Sequence, residues 1–145
     1  MTPFSEYDNR NEYRRLIAGR MASWRVAYKE TELFICADSV MERAALDAVV
    51  ALRHELDAYI ARHPAFKDSL VPLDPLPGAP AVAVDMCRAS RAAGVGPMAA
   101  VAGAFSAHVG RKILKYSREV IVENGGDIFM KADAARTVAI YAGRS

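Results

Sequence analysis

The stretch that decides the fold runs Gly94-Val95-Gly96-Pro97-Met98, then a small-residue segment from Ala99 to Val109, then Val120-Ile121-Val122-Glu123-Asn124-Gly125-Gly126-Asp127-Ile128-Phe129-Met130. Two glycine-rich corners flank one helix and one strand. Glycine lets the backbone take positive φ, or approach a neighbour closely, with no side chain in the way. Gly94 is placed to end a helix over 81–93 in the left-handed conformation. Pro97 suits the first turn of the next helix, over about 98–114. That helix is nearly free of charge up to Val109, and a helix apolar all round is a buried one. Lys112, Lys115 and Arg118 follow where cations complement its dipole. Asn124-Gly125 between two apolar runs predicts a hairpin joining strands over 119–122 and 128–130.

Outward from this centre, residues 40–62 place Ala45, Leu46, Val49, Leu52, Leu56, Tyr59 and Ile60 at spacings of three and four, which predicts an amphipathic helix. Asp38-Ser39 opens it, with Ser39 and Glu42 spaced as a capping box, and Pro64 ends it. Five prolines between 64 and 80 make a stiff connector with a helical turn at 65–67. In the helix over 81–93, Val82, Met86 and Ala89 face inward. Residues 24–36 read as one bulged strand or as a hairpin broken at Lys29-Glu30-Thr31-Glu32, preceded by a turn over 19–23. Short strands are expected over 13–18 and 137–141, a polar turn over 131–136, and fraying over 1–11. The fold class is α+β, a mainly antiparallel sheet with packed helices.

A chain of 145 residues is expected to be one domain, or part of a larger one, and needs no disulfide or metal to hold it. A net charge of +2 argues for no particular partner, and because only the first 25 residues lean toward the basic, aromatic-interleaved pattern of a nucleic-acid binder, no nucleic acid is expected. The apolar runs fall short of the roughly 20 residues of a membrane helix. The N-terminus lacks the pattern of a signal peptide. Cys36 and Cys87 read as free buried thiols in a reducing cytoplasm. Arg10, Arg14, Arg15, Arg20 and Arg25 form either a phosphate clamp or a solvated sheet face. His54, His63 and His108 lack ligand spacing for zinc. Gly94-Val95-Gly96 follows a helix rather than a strand, which excludes a dinucleotide fingerprint.

The candidate site therefore rests on the two corners. At Gly94, Gly96, Pro97 and Met98, a helix N-terminus offers free N–H groups to an anion, or else a tight helix corner needs glycine. At Glu123, Asn124, Gly125, Gly126 and Asp127, carboxylates and an amide surround bare backbone. They can receive ribose hydroxyls or amines, or coordinate Mg2+, or the segment is a plain hairpin turn.

These same segments, with Tyr13-Arg14, Glu30-Thr31-Glu32-Leu33, Tyr59-Ile60, Pro64-x-Phe66 and Ser69-Leu70-x-Pro72, closely resemble an uncharacterised prokaryotic family of ApbE-like proteins. The resemblance covers nearly the whole chain. The wider superfamily includes flavin transferases that use FAD and Mg2+ to attach FMN to Thr or Ser of a target protein. It implies that Gly125-Gly126-Asp127 lies beside a flavin pocket. The transferases carry Lys-Gly and then Asp on the preceding helix, where this chain has Ala102-Gly103 and Ala107. The family also implies a C-terminal half bearing a metal site, beyond the residues present here. Without that half, an unpaired edge at 137–141 predicts homo-oligomerisation or aggregation. The resemblance further implies a second function, a non-catalytic accessory protein in sulfide assimilation and homocysteine formation with no cofactor bound. An enzyme of unrelated chemistry in the same pocket is a third.

Overall fold

A computed structural model describes residues 21–136. The strands expected over 13–18 and 137–141, the fraying of 1–11, and the arginines at 10, 14, 15 and 20 lie outside the described residues. Strands β1 (Ala22–Tyr28) and β2 (Thr31–Ala37) form a hairpin, so the aromatic stretch is two strands rather than one. Lys29 sits in the turn at φ 51. Ala22 and Ser23 belong to β1 rather than to the expected turn. Helices α1 (Glu42–Arg62), α2 (Ala65–Asp68) and α3 (Ala81–Ala93) follow. A 3-10 turn (Pro97–Ala100) leads into α4 (Val101–Ile113), and strands β3 (Val120–Asn124) and β4 (Asp127–Lys131) close the described fold. The fold is α+β.

The strands pair in the order β1-β2-β3-β4, every neighbour antiparallel. Side chains alternate between the faces of a sheet. One face therefore presents Trp24, Val26, Leu33, Ile35, Ala37, Val120 and Val122, all buried. Helix α1 covers the β1 side of this face and α4 the β3–β4 side, and the two helices pack on each other. Val49, Tyr59, Phe105 and Ile113 fill the interior between them. Each such side chain contributes about 1.5–3 kcal/mol on leaving water. The opposite sheet face carries a smaller cluster, Cys36 and Ile121 with Met21 and Phe34 against it.

Several local expectations give way to tertiary partners. Helix α1 begins at Glu42 with Met41 at its cap and no side-chain cap bond, so the Ser39–Glu42 box does not form. Asp38 is committed elsewhere. Its Oδ2 accepts from the Arg118 N–H (2.8 Å), while its own N–H donates to Ser117 Oγ (3.0 Å). Leu46 is exposed, because the buried stripe of α1 runs through Ala45, Ala48, Val49, Leu52, Leu56 and Tyr59. In α3, Val82 and Met86 face in as expected, but Ala89 is exposed and Ala83 and Cys87 are buried instead. The start of the expected third helix, Pro97–Ala100, is the tighter 3-10 turn. The proline-rich connector is pinned where the Leu76 N–H donates to Tyr59 Oη at 3.0 Å. Both described cysteines are free and buried.

Candidate functional site

The two glycine corners have different physical jobs. Gly94 caps α3 at φ 71, with its N–H and that of Val95 returned to Arg91 and Ser90 carbonyls. Gly96 has ordinary extended backbone, φ −72 and ψ 156. Its need for glycine is steric, since a Cβ there would lie 1.7 Å from the Ser69 carbonyl oxygen. Pro97 is buried and Met98 packs partly buried on the core. Across this corner, α3 and the segment Pro97–Ile113 meet at 104°.

At the other corner, Gly125 (φ 57) and Gly126 (φ 101) are the two central residues of a hairpin turn. Positive φ at both marks a type I′ turn, whose twist matches that of the strands it joins. Asn124 and Asp127 are the paired residues flanking it. Paired residues share a sheet face and adjacent residues do not. Asn124 and Asp127 therefore face α4, and Glu123 faces away. The two carboxylates of the motif are on opposite sides of the sheet. Glu123 is 3% exposed, and its Oε1 accepts the Gly126 N–H at 3.0 Å, holding the turn from behind. The Asn124 side-chain amide donates to the Ala102 carbonyl at 3.3 Å, and Ser106 Oγ donates to the Asp127 carbonyl at 3.2 Å. These bonds stitch the hairpin to α4.

Asp127 alone of the nine candidate residues lines a cavity of about 390 Å³. The floor is the small face of α4 and the turn before it: Ala100, Gly103, Ala104 and Ala107. A Cβ on Gly103 would meet Asp127 Oδ1 at 3.6 Å, ordinary contact, so glycine there deepens the floor without being needed to seat the carboxylate. Asp85 and Ala89 of α3, with His108 and Arg111 of α4, form the opposite side. His108 Nε2 lies 2.7 Å from Asp85 Oδ2. An ionised carboxylate only accepts, so Nε2 carries the proton in this pair. Arg111 stands 4.0 Å from Asp85 and 5.8 Å over the Phe129 ring. Gly110 makes room for that ring, a Cβ there falling 2.2 Å from Phe129 Cδ1. The cavity meets the second corner at Asp127 alone, and Gly94, Gly96, Pro97 and Met98 of the first corner do not line it. It offers a flat apolar floor, an acceptor at one edge, and an Arg with a His–Asp pair at the other.

Asp85, His108 and Arg111 carry no motif in the sequence. Their one signal is position: Asp85 is the carboxylate of a helix otherwise made of small, apolar and basic residues, and His108 is the ionisable group within a small-residue run. Among the described residues, no group of three or more His, Cys, Asp or Glu is placed to hold a metal ion. No single described helix is long and apolar enough to cross a membrane.

Fold and site together define an α+β sheet-and-helix unit in which a Gly-Gly-Asp hairpin overhangs a helix of small residues. The chain belongs to the family described as AbpE bacteria, which it matches over residues 14–145. It is 45% identical over 122 residues to a UPF0280 protein of Methanopyrus kandleri, covering 83% of this chain and 49% of that one. It is also 41% identical over 118 residues to a UPF0280 protein of Methanocella arvoryzae, covering 81% and 48%, and 39% identical over 122 residues to one of Methanococcus maripaludis, covering 83% and 49%. The chain thus spans about half the length of these relatives.

Proposed function

We propose that this chain supplies one wall of a site for the ring end of a flavin nucleotide, FMN or FAD. The observation that carries this is the Asp127 carboxylate overhanging the Ala100, Gly103, Ala104 and Ala107 floor in a cavity of about 390 Å³. Ligand sites of this kind span roughly 300–1,000 Å³ and combine apolar walls with a few placed polar groups. A floor no larger than alanine lets a flat ring approach the helix backbone. Asp127 accepts from a ring N–H or a ribose hydroxyl, and Arg111 faces ring oxygens or phosphate. Mg2+, if it takes part, draws ligands from the nucleotide phosphates or from residues beyond 21–136.

FMN transfer to a protein is not proposed for this chain by itself, because Ala102 and Ala107 replace the Lys and Asp of the transferases it resembles. The same replacements favour the second reading, a non-catalytic accessory protein with no cofactor bound, which the resemblance links to sulfide assimilation and homocysteine formation. Titration with FMN, FAD and ADP, with and without Mg2+, followed by flavin fluorescence, separates the two. The flavin reading expects saturable quenching, weakened about tenfold, or roughly 1.4 kcal/mol, by Asp127→Ala and little changed by Glu119→Ala. No response at high micromolar flavin, or equal effects of the two substitutions, overturns it.

A further inference from the structure

A second concavity, about 770 Å³, lies between α1, the start of α3 and the end of α4. Its floor is again built of small residues, Ala44, Ala48 and Ala51 at helical spacing on α1, with Leu52 and Ala81 beside them. Side chains of ordinary size at these alanines would fill the trough. One bank carries Lys112, Lys115 and Tyr116, the last 71% exposed. The other carries Arg43, Asp47 and Glu55.

The charges on the two banks are not equivalent. Arg43 is held by Asp47 at 3.2 Å, one turn along α1. Lys112 and Lys115 have no carboxylate within 4.0 Å among the described residues, a state they share with Arg62, Lys67 and Lys131 elsewhere on the surface, whereas Lys29, Arg53, Arg88, Arg91, Arg111, Arg118 and Arg136 each have one. Setting the Arg43–Asp47 pair aside, two lysines face one carboxylate, Glu55, so the trough carries an excess of one positive charge. The dipole of α4 accounts for cations at its end. It does not account for an alanine trough beneath them. His108 lines both concavities, which makes this one a neighbour of the candidate site but separate from its Asp127 edge.

We propose that this trough is a distinct binding site for a small organic anion, a carboxylate or phosphate ester on a flat apolar body. The body lies on the alanine floor beside Tyr116, and Lys112 and Lys115 hold the anionic group. The site does not depend on flavin binding, and its residues other than His108 are absent from the first cavity.

The test uses the whole chain, labelled for amide NMR, with phenyl phosphate and phenylacetate as probes, and benzyl alcohol and inorganic phosphate as the neutral-body and bare-anion controls. Saturable shifts centred on Ala48, Ala51, Lys112 and Tyr116 are expected with one or both organic anions, weakening as salt is raised. Lys112→Gln with Lys115→Gln is expected to weaken binding about tenfold, and Ala51→Phe, at an exposed floor position, to block it. Amide spectra of each variant outside the trough report that the fold is kept. Equal binding of benzyl alcohol removes the role of the lysines. Equal binding of inorganic phosphate removes the role of the trough. Either result, an absence of shifts, or unchanged affinity in both variants overturns the proposal.

Discussion

Gly96→Ala is the substitution from which most can be learned, because the backbone at Gly96 already suits alanine. At φ −72 and ψ 156 an L residue is unstrained, so any loss of stability comes from the added methyl alone. That methyl would stand 1.7 Å from the Ser69 carbonyl oxygen, 2.6 Å from its carbon and 3.2 Å from Leu70 Cα. All three are backbone atoms, and Ser69 is poorly placed to retreat. Its N–H donates to Ala65 O at 2.9 Å, and its Oγ donates to Val71 O at 2.7 Å and accepts the Val71 N–H at 3.2 Å. Overpacking a tight site typically costs about 1–3 kcal/mol, and a backbone obstacle puts this one at the upper end, about 3 kcal/mol. For a chain of this size that lowers Tm by roughly 12 °C. Gly94→Ala is the control. Its φ is 71, but a Cβ there meets nothing within 4 Å, so it carries only the left-handed penalty of about 1 kcal/mol. Urea unfolding followed by far-UV circular dichroism measures both. If Gly96→Ala is no more destabilising than Gly94→Ala, the close approach of the 69–70 backbone is not what holds this corner.

Tyr59→Phe removes the acceptor for the Leu76 N–H from a side chain 1% exposed, and is expected to cost about 1 kcal/mol and to speed hydrogen exchange at Leu76. Ser117→Ala strips a buried hydroxyl that accepts the Asp38 N–H and donates to the Glu119 carbonyl at 2.6 Å; a loss of about 1–3 kcal/mol in urea unfolding is expected, and a neutral result would show that the staple between β2 and β3 is dispensable. Burial pushes the Cys36 thiol from 9.0 up to about 11, so the folded state holds its proton more tightly than the unfolded one. The associated stability is full below about pH 9 and is lost as pH rises through about 11, and a thiol reagent at neutral pH should reach Cys36 only on unfolding.

Much of the fold was legible because its elements are locally self-consistent. The stop at Pro64, the glycine cap at Gly94 and the helical spacing of Ala45, Val49, Leu52 and Leu56 all act within a few residues, and α1 and α3 lie where these signals put them. The Asn-Gly signal likewise placed the β3–β4 hairpin, although its two central residues are Gly125 and Gly126 and Asn124 belongs to β3. The failures share a cause. Ser39 and Glu42 have capping spacing, but a bond from the distant Arg118 N–H occupies Asp38 and the helix begins later. Leu46 and Ala89 fit an apolar period yet face outward, since which flank of a broad stripe is covered depends on where α4 lies. The site divides in the same way. Asp127 was visible in its motif, while strand alternation, once the turn was known to be two residues long, sends Glu123 to the far face. The His108–Asp85 pair joins two helices, and no local pattern marks such a meeting.

The sheet order has a kinetic consequence. β1 with β2, and β3 with β4, are each closed by a two-residue turn and can form on the microsecond scale. The central β2–β3 pairing must instead bring Ala37 to Val120, with every helix in the intervening chain. Loop closure grows only slowly with length, about 0.6 kcal/mol per doubling, but it must be met before the contacts that reward it exist. The step that commits this chain to its fold is therefore the meeting of two preformed hairpins across α1 and α4. Substitutions at Ile35 or Val122 should slow refolding, and so should changes at the Lys29-Glu30 turn, whose contacts are already made when the hairpins meet, with little effect on the rate of unfolding.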